Sequence, residues 1–195
     1  DDVDEVRAGV KAGQRTVVSG GGYSGLEVAA SLRMLGMEVT VLEARSRVLQ
    51  RVTCETVSAF YTRVHREESV DIRTEVRVSE LQGDGTVSAV ELENGEVIET
   101  SLVVVGIGIV PNTSLAEAAG LEIDDGIAVD EHARTSDPAI FAVGDCTSFH
   151  HPRYGQRVRL ESVQNANDQA IVAAQAIRGN PSPYNTVPWF WSDQF

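Results

Sequence analysis

Apolar positions recur along this chain at two spacings, and the alternation between them predicts its elements. Thr16-Val17-Val18-Ser19 reads as a buried strand, and Glu38-Val39-Thr40-Val41-Leu42, ended by Glu43, as a second. Between them Gly25 to Leu35 has helical spacing, with Leu26, Ala29, Ala30 and Leu32 able to pack on a sheet and Gly36 as its stop. Asp4 to Lys11 is more weakly helical. Thr53 to Glu68 predicts another helix, with Val57, Phe60, Tyr61 and Val64 on one face, followed by a short strand over Val70 to Arg73. Alternating runs over Val76 to Leu81, Val87 to Leu92 and Glu96 to Thr100, with the hairpin signal Asn94-Gly95, predict an antiparallel meander. Leu102-Val103-Val104-Val105 is continuous enough in apolar character for a central strand buried on both faces.

The character changes from Leu115. A short alanine-rich helix leads to Gly126 to Asp130, the loop Thr135-Ser136-Asp137-Pro138 and an expected strand over Ile140 to Val143. Glu161 to Arg178 then predicts a long helix with Val163, Ala166, Ala170, Ile171 and Ala174 inward. This second strand-and-helix set needs a sheet of its own, so a domain boundary is expected near residue 115.

Gly20-Gly21-Gly22-Tyr23-Ser24-Gly25, between the first strand and the first long helix, carries the candidate chemistry. Gly20 permits a tight turn, Gly22 permits close approach of a pyrophosphate, and Gly25 permits close helix–strand packing. Phosphates at this point would meet amide groups at the positive end of the helix dipole. Glu43, 23 residues after Gly20, lies where such a unit places the carboxylate that holds the adenosine ribose. That charge favours NAD(H) over its 2′-phosphorylated counterpart, although Arg45 and Arg47 are close enough in sequence to pair with a phosphate. At Gly106-Ile107-Gly108 two more glycines end a strand, either as a ligand contact or as a simple turn.

Composition narrows the partners. The net charge is −13 over 195 residues, which argues against nucleic acid, since no basic run is dense enough to offset phosphate repulsion. No apolar segment approaches membrane-span length and no signal-peptide pattern opens the chain, so a cytoplasmic location is expected. Cys54 and Cys146 belong to no C-x-x-C pair and are expected to be buried or half-buried thiols; His65, His132, His150 and His151 show no metal spacing and are expected at the surface or on helices. The chain opens on Asp1 and stops soon after an aromatic cluster, which suggests a piece of a longer polypeptide.

Several segments together resemble a known family. They are Gly20 to Glu27, Val105 to Gly108, Phe141-Ala142-Val143-Gly144-Asp145-Cys146, Glu161-Ser162-Val163-Gln164-Asn165-Ala166 and Pro188-Trp189-Phe190-Trp191-Ser192-Asp193. They resemble the FAD-dependent NADH:ferredoxin reductases of the pyridine nucleotide-disulfide oxidoreductase superfamily, which serve bacterial oxygenase systems and are similar to rubredoxin and putidaredoxin reductases. The resemblance implies an α/β architecture. Residues 1–115 would form a Rossmann-like NAD(H)-binding domain with an antiparallel β-meander, 116–182 the C-terminal part of a second, FAD-type dinucleotide-binding domain, and 183–195 the start of a C-terminal interface domain.

Family members carry a separate FAD-binding fingerprint that is not found in this sequence, so the fragment alone is expected to be inactive. By resemblance, Asp145 would hydrogen-bond the FAD ribityl chain, or else cap the next turn. Ser162 and Val163, with Gln164 nearby, would lie near the flavin, Glu27 and Glu161 would approach the nicotinamide carboxamide, and Trp191 would lie beside the isoalloxazine or in the core between domains. Ser19 and Ser24 depart from the aliphatic residues usual in the family. The implied activity passes electrons from NADH through FAD to a ferredoxin or rubredoxin-type acceptor, with Arg153, Arg157 and Arg159 either facing an acidic acceptor or lying in a solvated loop. The alternatives are a related flavoenzyme, similar to nitrite reductase or apoptosis-inducing factor, and a non-catalytic NAD-binding module.

Overall fold

The computed structural model describes residues 2–195, which divide into two compact units. One runs up to Gly108 and takes back Ser192–Phe195; the other is Ile109–Trp191. In the first, helix α1 (Asp2–Gly9) precedes strand β1 (Arg15–Ser19), helix α2 (Tyr23–Met34), strand β2 (Glu38–Glu43), helix α3 (Glu55–Glu67) and strand β3 (Asp71–Thr74). Strands β4 (Val78–Gly83), β5 (Val87–Leu92) and β6 (Val97–Glu99) form the antiparallel meander, and β7 (Leu102–Val105) returns to the first sheet. That sheet is parallel with order β3-β2-β1-β7.

Both faces of the sheet are covered, and the period of two in β1 decides which residue goes where. Val18 belongs to a core with Leu26, Ala29 and Leu32 of α2, together with Val39, Val41 and Ile72. Its neighbour Val17 points the other way, into a smaller core with Leu42, Val90 and Leu92, so the meander lids the second face. Helix α2 starts at Tyr23, two residues before the expected Gly25, because Gly22 is extended at φ −80° and ψ −178° and serves as N-cap without a side chain. It ends where Gly36 turns left-handed at φ +86°, and the amide of Met37 closes back on the Leu32 carbonyl.

Several expectations are corrected here. Strand β7 is an edge strand, so Leu102, Val103 and Val104 are only half-buried and Val105 is 59% exposed rather than buried on both faces. On α3 the buried residues are Ser58 and His65, while Phe60 is half exposed. Cys54 is exposed; His65 lies on a helix as expected, though fully buried there, and His151 is fully buried in the later strand Thr147–His151 rather than at the surface or on a helix.

The second unit contains α4 (Ser114–Ala118), strands β8 (Ile127–Val129), β9 (Thr147–His151) and β10 (Gln156–Val158), and helix α5 (Val163–Ile177). Its sheet has order β10-β9-β8, parallel between β8 and β9 and antiparallel between β9 and β10. The strand expected over Ile140 to Val143 does not form. A single bridge joins Arg134 and Phe141, and the amides of Ile140 and Ala142 are taken by the carbonyls of Asp137 and Ala133.

The inward face of α5 also differs from the expected one: Asn165, Gln169, Val172, Ala173 and Ala176 are buried, whereas Val163 and Ile171 are more than half exposed. The reason is polar. Gln169 Oε1 accepts from the Gly144 amide at 2.7 Å and from Thr147 Oγ1 at 3.0 Å, which turns a glutamine inward.

A methyl group added at Gly25 would meet the Gly20 carbonyl oxygen at 1.9 Å, against backbone that cannot give. Gly25→Ala is therefore expected to destabilise the first unit by about 3 kcal/mol, measured by urea denaturation. Gly22→Ala, with nothing within 4 Å of the added carbon and a negative φ, is expected to melt like the parent chain.

Candidate functional site

The turn from β1 into α2 is built by close backbone contacts. Gly20, at φ +115°, has its amide bound to the Leu42 carbonyl at 2.8 Å, and a side chain there would strike the Gly106 carbonyl at 2.3 Å. Gly106 closes the same cluster: its amide donates to Ser19 O at 2.7 Å, and a Cβ on it would lie 3.5 Å from Gly25. Gly20, Gly25 and Gly106 thus pack backbone on backbone, which leaves Gly22 as the open position. The first amides of α2 have no carbonyl acceptor within the helix and lie at its positive end, an arrangement suited to a diphosphate.

Glu43 ends β2 beside this turn. Its Oε2 accepts from the Gly21 amide and its Oε1 from the Arg45 amide, each at 2.8 Å. Two main-chain donors fix the carboxylate while leaving lone pairs for ribose hydroxyls. Arg45 itself is exposed. Arg47 is not available to a phosphate, because its Nη1 donates to Ser58 Oγ at 2.6 Å and to the Thr53 carbonyl at 2.9 Å, pinning the loop that follows β2. Tyr23 meets Tyr61 edge-on with centroids 6.4 Å apart, and burial, then the neighbouring Tyr61, pushes its hydroxyl pKa up. Ser24 is exposed, as are Ile107 and Gly108. Glu27, further along α2, binds Ser192 Oγ at 2.7 Å.

In the second unit Gly144, left-handed at φ +84°, sets up the turn that presents Asp145, whose carboxylate is exposed. Ser162 caps α5 by accepting the Asn165 amide at 3.1 Å, so Val163 begins the helix and is 60% exposed. Asn165 Oδ1, in that first turn, is a buried acceptor with no partner. Glu161 is exposed and accepts from Arg159 Nη1 at 2.6 Å. Trp191 is 53% exposed, with its ring 5.7 Å from that of Trp189. Two of the three arginines of this loop are paired, Arg157 with Asp124 at 3.0 Å and Arg159 with both Asp125 and Glu161, while Arg153 is exposed and donates to the Asn185 carbonyl.

The residues fit a dinucleotide in the first unit, where the Gly22 cradle would be filled by a larger side chain's Cβ and the Glu43 carboxylate is already oriented. They fit part of a flavin site in the second, where the exposed Asp145 and the Asn165 acceptor, unpartnered among the described residues, seek donors and the amides at the start of α5 seek acceptors. Among the described residues no group of His, Cys, Asp and Glu could hold a metal ion, and no helix is long and apolar enough to cross a membrane.

A family model for pyridine nucleotide-disulphide oxidoreductases matches residues 1–170. The chain belongs to that family. Putidaredoxin reductase CamA of Pseudomonas putida is 48% identical over 198 residues, covering 100% of this chain and 47% of that protein. The 5,5'-dehydrodivanillate O-demethylase ferredoxin reductase subunit of Sphingobium sp. is also 48% identical, over 100% of this chain and 48% of its own length. Among solved structures, the covalent putidaredoxin reductase–putidaredoxin complex superposes with a TM-score of 0.95 at 48% identity, over 99% of this chain and 47% of the matched one. The chain therefore spans about half the length of the curated relatives it matches.

Sequence reasoning missed Ser192, Gln194, His65 and Gln169. Each acts through a partner distant in sequence; Ser192 falls within the Pro188–Asp193 segment, but nothing there points to Glu27, 165 positions away. His65 is fully buried, with Nε2 2.7 Å from Gln194 Oε1. Burial lowers its pKa below the usual histidine value, more than the hydrogen bond it makes to Gln194 raises it. As pH falls through about 6.5 the unfolded chain takes up a proton that the folded chain resists, so this contribution to stability is present at neutral pH and lost on acidification. The urea midpoint is expected to fall between about pH 7.5 and about pH 5.5, and to fall less in His65→Phe.

Proposed function

We propose that this chain is the NAD(H)-binding unit and part of the flavin-binding unit of an NADH-dependent flavoprotein reductase that delivers electrons to a ferredoxin or rubredoxin-type acceptor. On this reading residues 1–115 bind NAD(H), 116–182 are the C-terminal part of the FAD-binding domain, 183–195 begin a C-terminal domain, and the protein works in the cytoplasm. The observation that carries the reading is the open backbone at Gly22 beside a Glu43 carboxylate held by two main-chain amides. Likeness to ferredoxin reductases at 48% identity over the whole chain supports it.

The amides at the start of α2 would hold the pyrophosphate, with Gly20, Tyr23, Ser24 and Gly25 shaping the cradle, and Glu43 would hold the adenosine ribose. With Arg47 turned inward, NADH is preferred to NADPH, and Arg45 stays exposed in the loop after β2. Gly106, Ile107 and Gly108 would border the bound nucleotide, and Glu27 and Glu161 would orient the nicotinamide carboxamide. Asp145 would accept hydrogen bonds from ribityl hydroxyls, while Ser162 and Val163 at the head of α5, with Trp191, would face the flavin ring. Bound together, the two cofactors supply the conversion of a two-electron donor into one-electron steps. The protein's part is to bind, orient and exclude water, which is why no nucleophile–base pair is required.

An NADH titration of the full-length protein, followed at flavin wavelengths with and without candidate ferredoxins, tests the activity: bleaching by NADH and turnover with a ferredoxin are expected, and nucleotide binding without flavin reduction would favour a non-catalytic module. Glu43→Gln is expected to weaken NADH binding about tenfold by calorimetry and to narrow the preference over NADPH. Gly22→Ala is expected to weaken both nucleotides at unchanged melting temperature.

A further inference from the structure

A run of polar contacts joins α3 to α2 through residues far away in the chain. Glu27 Oε1 accepts from Ser192 Oγ at 2.7 Å and from the Asp193 amide at 3.2 Å. Gln194 Nε2 donates to Ser192 Oγ at 2.8 Å, and Gln194 Oε1 lies 2.7 Å from His65 Nε2. An ionised carboxylate can only accept, and this fixes the direction of every bond in the series. The Ser192 proton goes to Glu27, so the Ser192 oxygen receives the Gln194 amide. The Gln194 carbonyl oxygen must then receive a proton from His65 Nε2.

His65 is a fixed end for this series. It is fully buried on α3, its ring stands edge-on to Phe195 with centroids 5.0 Å apart, and its buried Nδ1, the unprotonated nitrogen of the Nε2–H tautomer, has no partner among the described residues. At the other end Glu27 Oε2 carries no hydrogen bond among the described residues, so one oxygen is anchored and the other is presented.

We propose that His65 is a positioning residue for nicotinamide binding: through Gln194 and Ser192 it holds the Glu27 carboxylate in the orientation that receives the carboxamide. This rests on the assignment of Glu27 to the nicotinamide made above. A carboxylate already ordered by the series costs the nucleotide nothing to order on binding; with the series broken, that cost falls on NADH. ADP-ribose, which carries the pyrophosphate and both riboses but no nicotinamide, does not incur it.

The test compares NADH with ADP-ribose on the full-length flavoprotein by calorimetry. Ser192→Ala, Gln194→Ala and His65→Phe are each expected to weaken NADH about fivefold while leaving ADP-ribose unchanged, with the Ser192→Ala, Gln194→Ala double variant no worse than either single one and Ser192→Thr restoring the parent affinity. Nitrogen-15 spectra of the histidines are expected to show His65 protonated at Nε2. Unchanged NADH affinity in Ser192→Ala and Gln194→Ala, equal weakening of both ligands, or a His65 protonated at Nδ1 would each overturn the proposal. Failure of the parent protein to bind either ligand would instead sink the nucleotide-binding assignment on which it rests.

Discussion

The close approach of α2 to β1 at Gly25 and Gly20 is the constraint on which the first unit depends. With 1.9 Å between the carbonyl of Gly20 and the place a Cβ would take on Gly25, the helix sits directly over the strand end rather than a side chain's width away. That contact sets the angle at which α2 leaves the sheet and aims its first-turn amides into the space above Gly22. Gly106, packed against the same two residues, extends the constraint to β7. A loosened cluster would leave the positive end of the helix dipole without a defined target, and electrostatic recognition of a diphosphate falls steeply when donors are displaced.

Around this point the sheet is held from both sides by the alternation of β1, Val18 toward the helices and Val17 toward the meander. The meander therefore seals a face that a second layer of helices covers in many doubly wound folds. The second unit uses a different device. Its Gly144 turn is tied to α5 by the amide of a buried glutamine, and a hydrogen bond that must be made in the interior specifies one arrangement more sharply than apolar contact alone.

Charge is arranged locally rather than globally. Despite a net charge of −13, carboxylates in each unit are held by local partners: Glu43 by two amides and Glu27 by Ser192 and Asp193 in the first, Glu161 by Arg159 in the second. Arg157 and Arg159 are likewise neutralised by the acidic residues of their own unit.

What the chain determined by itself was everything local in origin: the glycine turn, the helix that follows it, the hairpin at Asn94-Gly95, and the acidic residue ending the second strand. These follow from backbone freedom, from periodicity and from spacing, which act over a few residues. Tertiary structure decided the rest. Leu102 to Val105 has the composition of a central strand but lies at an edge, because nothing in four residues encodes how many neighbours a strand will have. Ile140 to Val143 has strand composition and no ladder to join. The inward face of α5 was set by a polar partner at Gly144, and the burial of His65 by Gln194, 129 positions away. Hydrophobic patterns report how much a segment gains from burial; which neighbour supplies that burial, and which polar atoms must then be matched, is settled only when distant segments meet.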